Sequence, residues 1–352
     1  MQALEDSIRP ALLAAPCFVA FSGGRDSSVV LAVAASLARR EGLDLPIPLS
    51  VRFPWAPGAQ ESEWQELVVG HLGLSRWEQI TTANPGELDV VGPVARRCLQ
   101  SHGLLYPHNA HFFALLCERA GGGSMLTGID GDGLFGGWPW WQVEALLHGR
   151  AAPSPRQLAR TAYALAPRRL RIAIDRRRHG GDTPASWLRP ATAKAAAAAL
   201  LAESQTPLRW STHVEQLARK RYHALGAASH ATIGAAAGVS IVHPFLDRGF
   251  LASLAHNGGA TGWGDRSAAL QALFGELLPT SLLTRTSKAG GGQIYWSEPR
   301  REFAQSWDGS GVNSELVDPD ELRAVWLSER PSPLTGLLIQ SAWLNANGGA
   351  AH

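Results

Sequence analysis

Short apolar runs of strand character alternate with stretches of helical periodicity through the first quarter of the chain. In chain order the predicted elements are an amphipathic helix over 1–15, a strand at Phe18–Phe21, a helix over Ser28–Glu41, a strand at Ile47–Phe53, a helix over Glu61–Leu72 and a strand at Trp77–Thr81. This alternation predicts an α/β protein with a doubly wound parallel sheet, in which the first two strands are neighbours. Ligands of such sheets bind beyond the carboxyl ends of the strands.

The first strand runs into a loop with the pattern SGGxDS, and a helix follows at once. Gly23 and Gly24 allow a tight turn, and the exposed N–H groups of the turn and the new helix form a cradle for phosphate. Ser22 and Ser27 add hydroxyl groups, and Asp26 is placed to reach a metal ion on the phosphates. This pattern resembles the nucleotide loop of ATP pyrophosphatases; a P-loop would need a Gly-Lys pair, which the chain lacks. The alternative is an ordinary glycine turn capped by serines.

A second strand-to-glycine turn occurs at Ser124–Gly137. Asp132 in this turn is a candidate to complete a Mg²⁺ site with Asp26, because Mg²⁺ is commonly held by one or two carboxylates and phosphate oxygens. Gly128 is expected to contact the nucleotide. A calcium loop is the alternative, but the alternating acidic ligands of that loop are missing.

Lysine is scarce in this chain. Only Lys194, Lys220 and Lys288 are present, while the other 29 of the 32 basic residues are arginine. Lys288 lies in a glycine-rich stretch that is able to close over a site, where a cation would stabilise negative charge in a transition state. Arg285 is a weaker companion. The alternative for Lys288 is a plain surface lysine.

Four motifs together resemble the synthetase domain of the asparagine synthetase class. They are SGGRDSS, TGIDGDGLFGG, the PFLD segment at Val239–Asp247 and the segment from Leu277 to Lys288, and they occur in the family's order over about residues 16–300. The resemblance implies an adenine nucleotide α-hydrolase-like fold of the ATP-pyrophosphatase type with added helices. It also implies ATP and Mg²⁺, activation of a carboxylate as an acyl-adenylate with release of pyrophosphate, and transfer of the acyl group to an amine. Lys288 matches the family's catalytic lysine. Val51, at the end of the second strand, is expected to contact the base through its backbone.

The pattern departs from the glutamine-dependent members of this class at the beginning of the chain. Those members begin with a nucleophilic cysteine and an amidohydrolase domain, whereas this sequence begins Met1-Gln2 and reaches the nucleotide loop within about 20 residues. We therefore expect no ammonia production from glutamine within this chain.

The sequence also departs from the asparagine-forming members at the group that takes the proton from the attacking amine. Ile129 stands where the asparagine-forming members carry an acidic residue, and Gly133 replaces a later glutamate. Asp130 is the candidate acceptor in this motif, with Glu144 and Glu215 as alternatives. These substitutions indicate an acceptor other than ammonia.

Among divergent members of the class, the chain most resembles the macrolactam cyclases of lasso-type peptides and the β-lactam synthetases. Its segment Leu316–Ala324 is similar to the closing helix of the peptide cyclases. The resemblance implies intramolecular amide closure in peptide or natural-product biosynthesis, with a small-molecule or peptide carboxylate and amine as substrate. Alternatives are an intermolecular amide ligase or amidotransferase fed by a separate chain, and a non-catalytic nucleotide-binding partner. A separate protein that presents the substrate is also compatible with the sequence.

Composition limits the remaining possibilities. The chain has 352 residues, of which 45% are hydrophobic and 18% charged, as in globular proteins, and its net charge of +2 does not favour a nucleic-acid partner. Three cysteines without zinc or redox spacing, and no apolar run of membrane-spanning length, predict a cytoplasmic protein without a membrane partner. We expect a nucleotide-binding core over 1–138, a helical region over 139–225 that is a candidate substrate-pocket insert, and the rest of the synthetase domain over 226–352.

Overall fold

A five-stranded parallel sheet forms the centre of the protein in a computed structural model, which describes residues 1–348 except 137, 139, 150–153, 179–184 and 204. The strands are β1 (Cys17–Ala20), β2 (Ile47–Arg52), β3 (Glu78–Thr81), β4 (Ser124–Thr127) and β5 (Ser240–Val242), in the order β3-β2-β1-β4-β5. All neighbouring strands pair in parallel. The predicted doubly wound sheet, with β1 beside β2, is confirmed.

Helices surround this sheet and supply most of the described chain. They are α1 (Gln2–Leu13), α2 (Arg25–Glu41), α3 (Ser62–His71), α4 (Pro93–His102), α5 (His111–Ala120), α6 (Gly131–Gly136), α7 (Trp141–Leu147), α8 (Pro155–Leu165), α9 (Arg168–Arg178), α10 (Pro190–Glu203), α11 (Trp210–Ala218), α12 (Arg221–Ala236), α13 (Arg248–Gly258), α14 (Arg266–Phe274), α15 (Thr280–Leu283), α16 (Glu298–Ser306), α17 (Pro319–Leu327) and α18 (Gly336–Ala346). Short 3₁₀ turns occur at Pro57–Ala59, Pro244–Leu246, Gly292–Ile294 and Pro333–Thr335.

Helix α2 begins three residues before the predicted Ser28. Gly24 is extended and caps the helix, so that the turn of the nucleotide loop passes directly into helical backbone. The Ser28 hydroxyl donates to the Gly24 carbonyl at 2.8 Å, which fixes the first turn. The helix ends as predicted at Gly42, whose left-handed φ of 68° suits glycine.

Successive side chains on the strands enter two separate cores, one on each face of the sheet. Val19 and Leu126 pack with α1 and α2, whereas Phe18 and Met125 pack on the opposite face. Alternation of this kind is the period of a strand covered on both sides. The parallel pairing of β1 with β2 and β4 places the carboxyl ends of all three strands at one edge.

The described residues between 140 and 225 are largely helical. Trp138 and Trp140 are buried, and their indole N–H groups donate to the carbonyls of Pro207 at 3.1 Å and Thr206 at 3.2 Å. These tryptophans therefore pack within the protein. In the described part of the chain, no helix combines the length and apolar character needed to cross a bilayer.

Candidate active site

The nucleotide loop is held by its own hydrogen bonds. The Ser22 hydroxyl accepts from the Gly24 N–H at 3.2 Å and lies 3.1 Å from the Ser27 hydroxyl. Gly23 has a φ of +83°, and a Cβ there would lie 2.6 Å from a carbon of Gln65 on α3. A side chain is therefore excluded at Gly23 by both backbone conformation and space. The turn that the sequence predicts to bind phosphate is therefore held in one shape by contacts within the protein.

A cavity of about 610 Å³ opens beside this loop, at the carboxyl ends of β1, β2 and β4. Its size is that of a small-molecule site. Of the residues predicted for the site, those that line the cavity are Ser22, Gly24, Asp26, Ser27, Val51, Gly128, Asp132, Arg285 and Lys288. Gly23 and Asp130 do not line it, although Gly23 belongs to the same turn.

The wall beyond Val51 is apolar and aromatic. Phe53 follows β2, and Phe112 and Phe113 come from the first turn of α5. Leu49 adds to this wall from β2. This end of the cavity suits a flat, weakly polar group, and the opposite end is charged.

The second glycine-rich turn packs directly on the first turn of α2. A Cβ at Gly128 would lie 2.6 Å from the backbone nitrogen of Ser27, and one at Gly131 would lie 2.4 Å from the Asp26 carboxyl carbon. Neither position accepts a side chain without movement. The close approach places Asp26, on α2, and Asp132, on α6, beside the same cavity.

The guanidinium of Arg266 lies between these two carboxylates. Its Nη2 is 2.7 Å and 2.8 Å from the two carboxylate oxygens of Asp26, and its Nη1 contacts Asp132. Arg266 begins α14, and its role was not predicted, because one arginine among 29 carries no signal in the sequence. Lys288 also contacts Asp132.

The two carboxylates differ in their electrostatics. Burial raises the pKa of Asp26, against the attraction of Arg266. Burial would also raise the pKa of Asp132, but the contacts with Lys288 and Arg266 bring that pKa below its ordinary value. Asp132 is the more exposed of the two.

Mg²⁺ is implied by the sequence motifs, and the donor set fits it. Carboxylate oxygens of Asp26 and Asp132 already face one cationic group from two sides. Among the described residues, no cluster of three or more acidic, histidine or cysteine side chains is placed to hold a metal. An ion at Asp26 and Asp132 would therefore take its other ligands from phosphate and water, which is common for Mg²⁺, and would displace Arg266.

Lys288 lies on the segment 284–291, here called the Lys288 loop. Its side chain is 72% exposed, whereas the Arg285 side chain on the same loop is 5% exposed. Arg285 donates to the Gly23 carbonyl at 3.1 Å and so joins this loop to the nucleotide loop.

Asp130 lies outside the cavity lining. It has a φ of 68°, unusual for a residue with a side chain, and its carboxylate is 2.9 Å from His223 Nε2 on α12. Its neighbour Ile129 does line the cavity. Of the alternative proton acceptors, Glu215 is exposed on α11, and the side chain of Glu144 lies outside the described part of the structure.

Two histidines behind the cavity wall were not predicted. The Thr127 hydroxyl, which lines the cavity, is 2.6 Å from His243 Nδ1, and His243 Nε2 is 3.3 Å from His230 Nδ1. Burial lowers the pKa of His243 to about 4 and that of His230, with a contribution from His243, to about 3. Both rings are therefore neutral near pH 7.

The PFLD segment has a structural role in this fold. Phe245 is fully buried in the core, and the Asp247 carboxylate accepts from the Phe250 N–H at 2.8 Å as the N-cap of α13. Neither residue lines the cavity.

The sequence profile of the asparagine synthase family matches residues 1–345, and the chain therefore belongs to this family. Members of the family use ATP, and membership supports ATP-dependent formation of an amide bond, the reaction of a ligase. No curated protein sequence matches this chain.

Proposed function

We propose that this protein is an AMP-forming carbon–nitrogen ligase that activates a carboxylate as an acyl-adenylate and passes the acyl group to an amine. The observation that carries the proposal is the cavity itself, which joins an aromatic wall, a preformed phosphate cradle and the side chains of Asp26, Asp132 and Lys288. These are the parts that ATP cleavage between the α- and β-phosphates requires.

In the proposed binding mode, the adenine occupies the apolar end of the cavity beside Val51 and Phe113. The phosphates lie against the N–H groups at the start of α2 and the hydroxyls of Ser22 and Ser27. Arg25, which also lines the cavity, adds positive charge at this end. This orientation turns the α-phosphate toward the space below the Lys288 loop.

In the first step, a carboxylate oxygen of the substrate attacks the α-phosphorus, and the bond from that phosphorus to the bridging oxygen breaks. Pyrophosphate leaves with the electron pair. Lys288 donates to the oxygens on which negative charge develops, and this stabilisation is worth most in the transition state. Mg²⁺ held by Asp26 and Asp132 would supply further neutralisation of the phosphate charge.

In the second step, the amine nitrogen attacks the acyl carbon, the bond from carbon to AMP breaks, and the amine loses one proton. Asp130 is proposed as the acceptor of that proton. It follows Ile129, which lines the cavity, and its carboxylate lies 2.9 Å from His223 Nε2.

The proposed acceptor is an amine within the substrate itself, so that a macrolactam or another cyclic amide is formed. Ile129, where asparagine-forming relatives carry an acid, supports an acceptor other than ammonia. The helix α17 overlaps the segment Leu316–Ala324, which resembles the closing helix of peptide cyclases, and this overlap adds to the support.

Pyrophosphate release from ATP and Mg²⁺, measured against a panel of peptides and free amino acids, tests the proposal. Mass spectrometry of each responding mixture then identifies the product. A product one water lighter than its substrate supports intramolecular closure, whereas an amine-adducted product would replace it with the intermolecular ligase.

If the protein binds ATP but releases no pyrophosphate with any substrate, the panel is repeated with lysate fractions that contain a substrate-presenting protein. Continued absence of release would contradict the ligase proposal and favour a non-catalytic nucleotide-binding partner.

A further inference from the structure

Glu61 makes a set of contacts that the proposed chemistry does not use. It precedes α3, lines the cavity, and its side chain is 8% exposed. One carboxylate oxygen, Oε1, accepts from Nη2 of Arg285 and from the backbone N–H of Ala289 at 2.8 Å. Ala289 directly follows Lys288, so this carboxylate holds the loop on both sides of the lysine.

Arg285 extends these contacts to the nucleotide loop. Its Nη1 donates to the Gly23 carbonyl at 3.1 Å, and its Nε donates to the Ser287 carbonyl at 3.0 Å. The guanidinium carbon also lies 4.7 Å from the ring centre of Trp64 on α3. One buried arginine therefore joins the Lys288 loop, the nucleotide loop and α3.

Between 286 and 290, few other hydrogen bonds among the described residues fix the Lys288 loop. Glycines occupy 290–292, directly after Ala289, and such backbone has many accessible conformations. The Lys288 side chain is mostly exposed and contacts Asp132 at its tip. Apart from the contacts of Glu61 and Arg285, the Gly290 N–H donates to the Gly58 carbonyl at 3.1 Å.

A buried ion pair contributes little net stability, because removing both charges from water is costly. The ion pair instead restricts geometry, because its hydrogen bonds form in only a few arrangements of the two side chains. The second carboxylate oxygen of Glu61 is buried without a hydrogen-bond partner among the described residues. The carboxylate thus depends on Arg285 and Ala289, and it would be poorly satisfied if the loop moved away.

We propose that Glu61 is a positioning residue, which acts through Arg285 and the Ala289 N–H to fix the Lys288 loop above the nucleotide loop. The consequence for catalysis rests on the proposed function of Lys288. The proposal that Glu61 fixes the loop does not rest on that function, and it can be tested without substrate.

Hydrogen exchange of the full-length protein, measured without nucleotide, tests the fixing directly. In Glu61→Ala, amides of 286–291 are expected to exchange at least about tenfold faster, because the Ala289 N–H loses its acceptor and Arg285 its partner. The matched control is Glu63→Ala, since Glu63 is exposed two residues further along α3. Unchanged exchange at 286–291 would overturn the proposal.

Amides of α2 in the same experiment report whether Glu61→Ala remains folded. If they lose protection, Glu61→Gln takes its place, because it keeps the size of the side chain and an oxygen for Ala289 while removing the charge for Arg285. Faster exchange at 286–291 is again expected, and equal exchange overturns the proposal.

Kinetics separate positioning from a general structural role. Glu61→Gln is expected to lower kcat for pyrophosphate release about tenfold, as small displacements of catalytic groups do. In a Lys288→Ala background the same substitution should have almost no further effect, since the positioned group is absent. A further tenfold loss in that background would overturn the positioning role. If Lys288→Ala alone left pyrophosphate release unchanged, the proposed function would fail. The hydrogen-exchange result would still test whether Glu61 holds the Lys288 loop through Arg285 and Ala289.

Discussion

The two glycine-rich turns that meet at the cavity are held in different ways. The nucleotide loop after β1 is bound by its own hydroxyl and backbone groups and leads into α2, a long helix buried along most of its length. The turn after β4 leads into α6, a helix of six residues, and its polar side chains contact groups from remote elements. Asp132 contacts Arg266 and Lys288, and Asp130 contacts His223.

This difference separates a turn that is shaped mainly by its own hydrogen bonds from one that is assembled by contacts between charged groups. The hydroxyl and backbone hydrogen bonds that shape the first turn lie within it, and Arg285 adds one bond to the Gly23 carbonyl from the Lys288 loop. The second turn depends on cations delivered from α14 and the Lys288 loop, so its geometry responds to charge. We infer that the first turn governs nucleotide binding and the second governs turnover.

Lys288→Ala gives the largest expected effect and sharpens this comparison. Pyrophosphate release should fall about 100-fold or more, the scale seen when a group that stabilises transition-state charge is removed. ATP affinity, measured by calorimetry, should stay close to that of the unmodified protein, because the first turn is intact. Lys194→Ala, at an exposed position on α10, is the control. Equal loss of ATP affinity in Lys288→Ala would contradict the division of roles.

Gly128→Ala is expected to damage both turns, since the new Cβ would lie 2.6 Å from the backbone nitrogen of Ser27. Overpacking of this kind lowers the free energy of unfolding by about 1–3 kcal/mol. Chemical denaturation measures it, and ATP binding should weaken in parallel. Gly70→Ala is the matched control in a helix position with no heavy atom within 4 Å. It should raise stability by about 0.5–1 kcal/mol. A Gly128→Ala protein of normal stability would mean that the two turns do not pack as described.

Arg266→Met tests whether the guanidinium of Arg266, which contacts Asp26 and Asp132 from α14, occupies the place of a metal ion. Because Arg266 contacts both carboxylates, its removal should strengthen Mg²⁺ binding without nucleotide by about tenfold, as expected when a competing occupant is lost. Calorimetric titration with MgCl₂ measures this affinity. Weaker Mg²⁺ binding in the variant would contradict the competition.

A last prediction concerns pH and the two histidines behind β4. His230 and His243 have folded-state pKa values of about 3 and 4, below the ordinary value of 6.5, so the unfolded chain binds protons first as pH falls. Their contribution to stability is present above pH 6.5 and is lost as pH falls toward 4, on the order of 1 kcal/mol per pH unit for each histidine. His230→Gln should reduce this slope in denaturation curves. An identical slope in the variant would exclude His230 as a source.

Local features of the site could be predicted from the sequence, and remote contacts could not. The shape of the nucleotide loop follows from Gly23, Gly24 and the serines, which interact with residues a few positions away. Arg266 meets Asp26 across 240 positions, and Arg285 meets Glu61 across 224. No periodicity or spacing encodes such pairs in a single sequence. Asp130 shows the limit of a position within a motif. It is a candidate proton acceptor because it follows the family's acidic position, whereas its positive φ accompanies a side chain beside His223 and outside the cavity lining.

The central claim is that the cavity makes an acyl-adenylate, and transfer of oxygen from the substrate carboxylate tests it most directly. A responding substrate labelled with ¹⁸O in its carboxylate is incubated with ATP, Mg²⁺ and the protein, and the nucleotide products are analysed by mass spectrometry. The account predicts AMP that carries one ¹⁸O atom, because the carboxylate oxygen bonded to the α-phosphorus stays with AMP when the amide forms. Label in inorganic phosphate together with ADP, or unlabelled AMP, would contradict it.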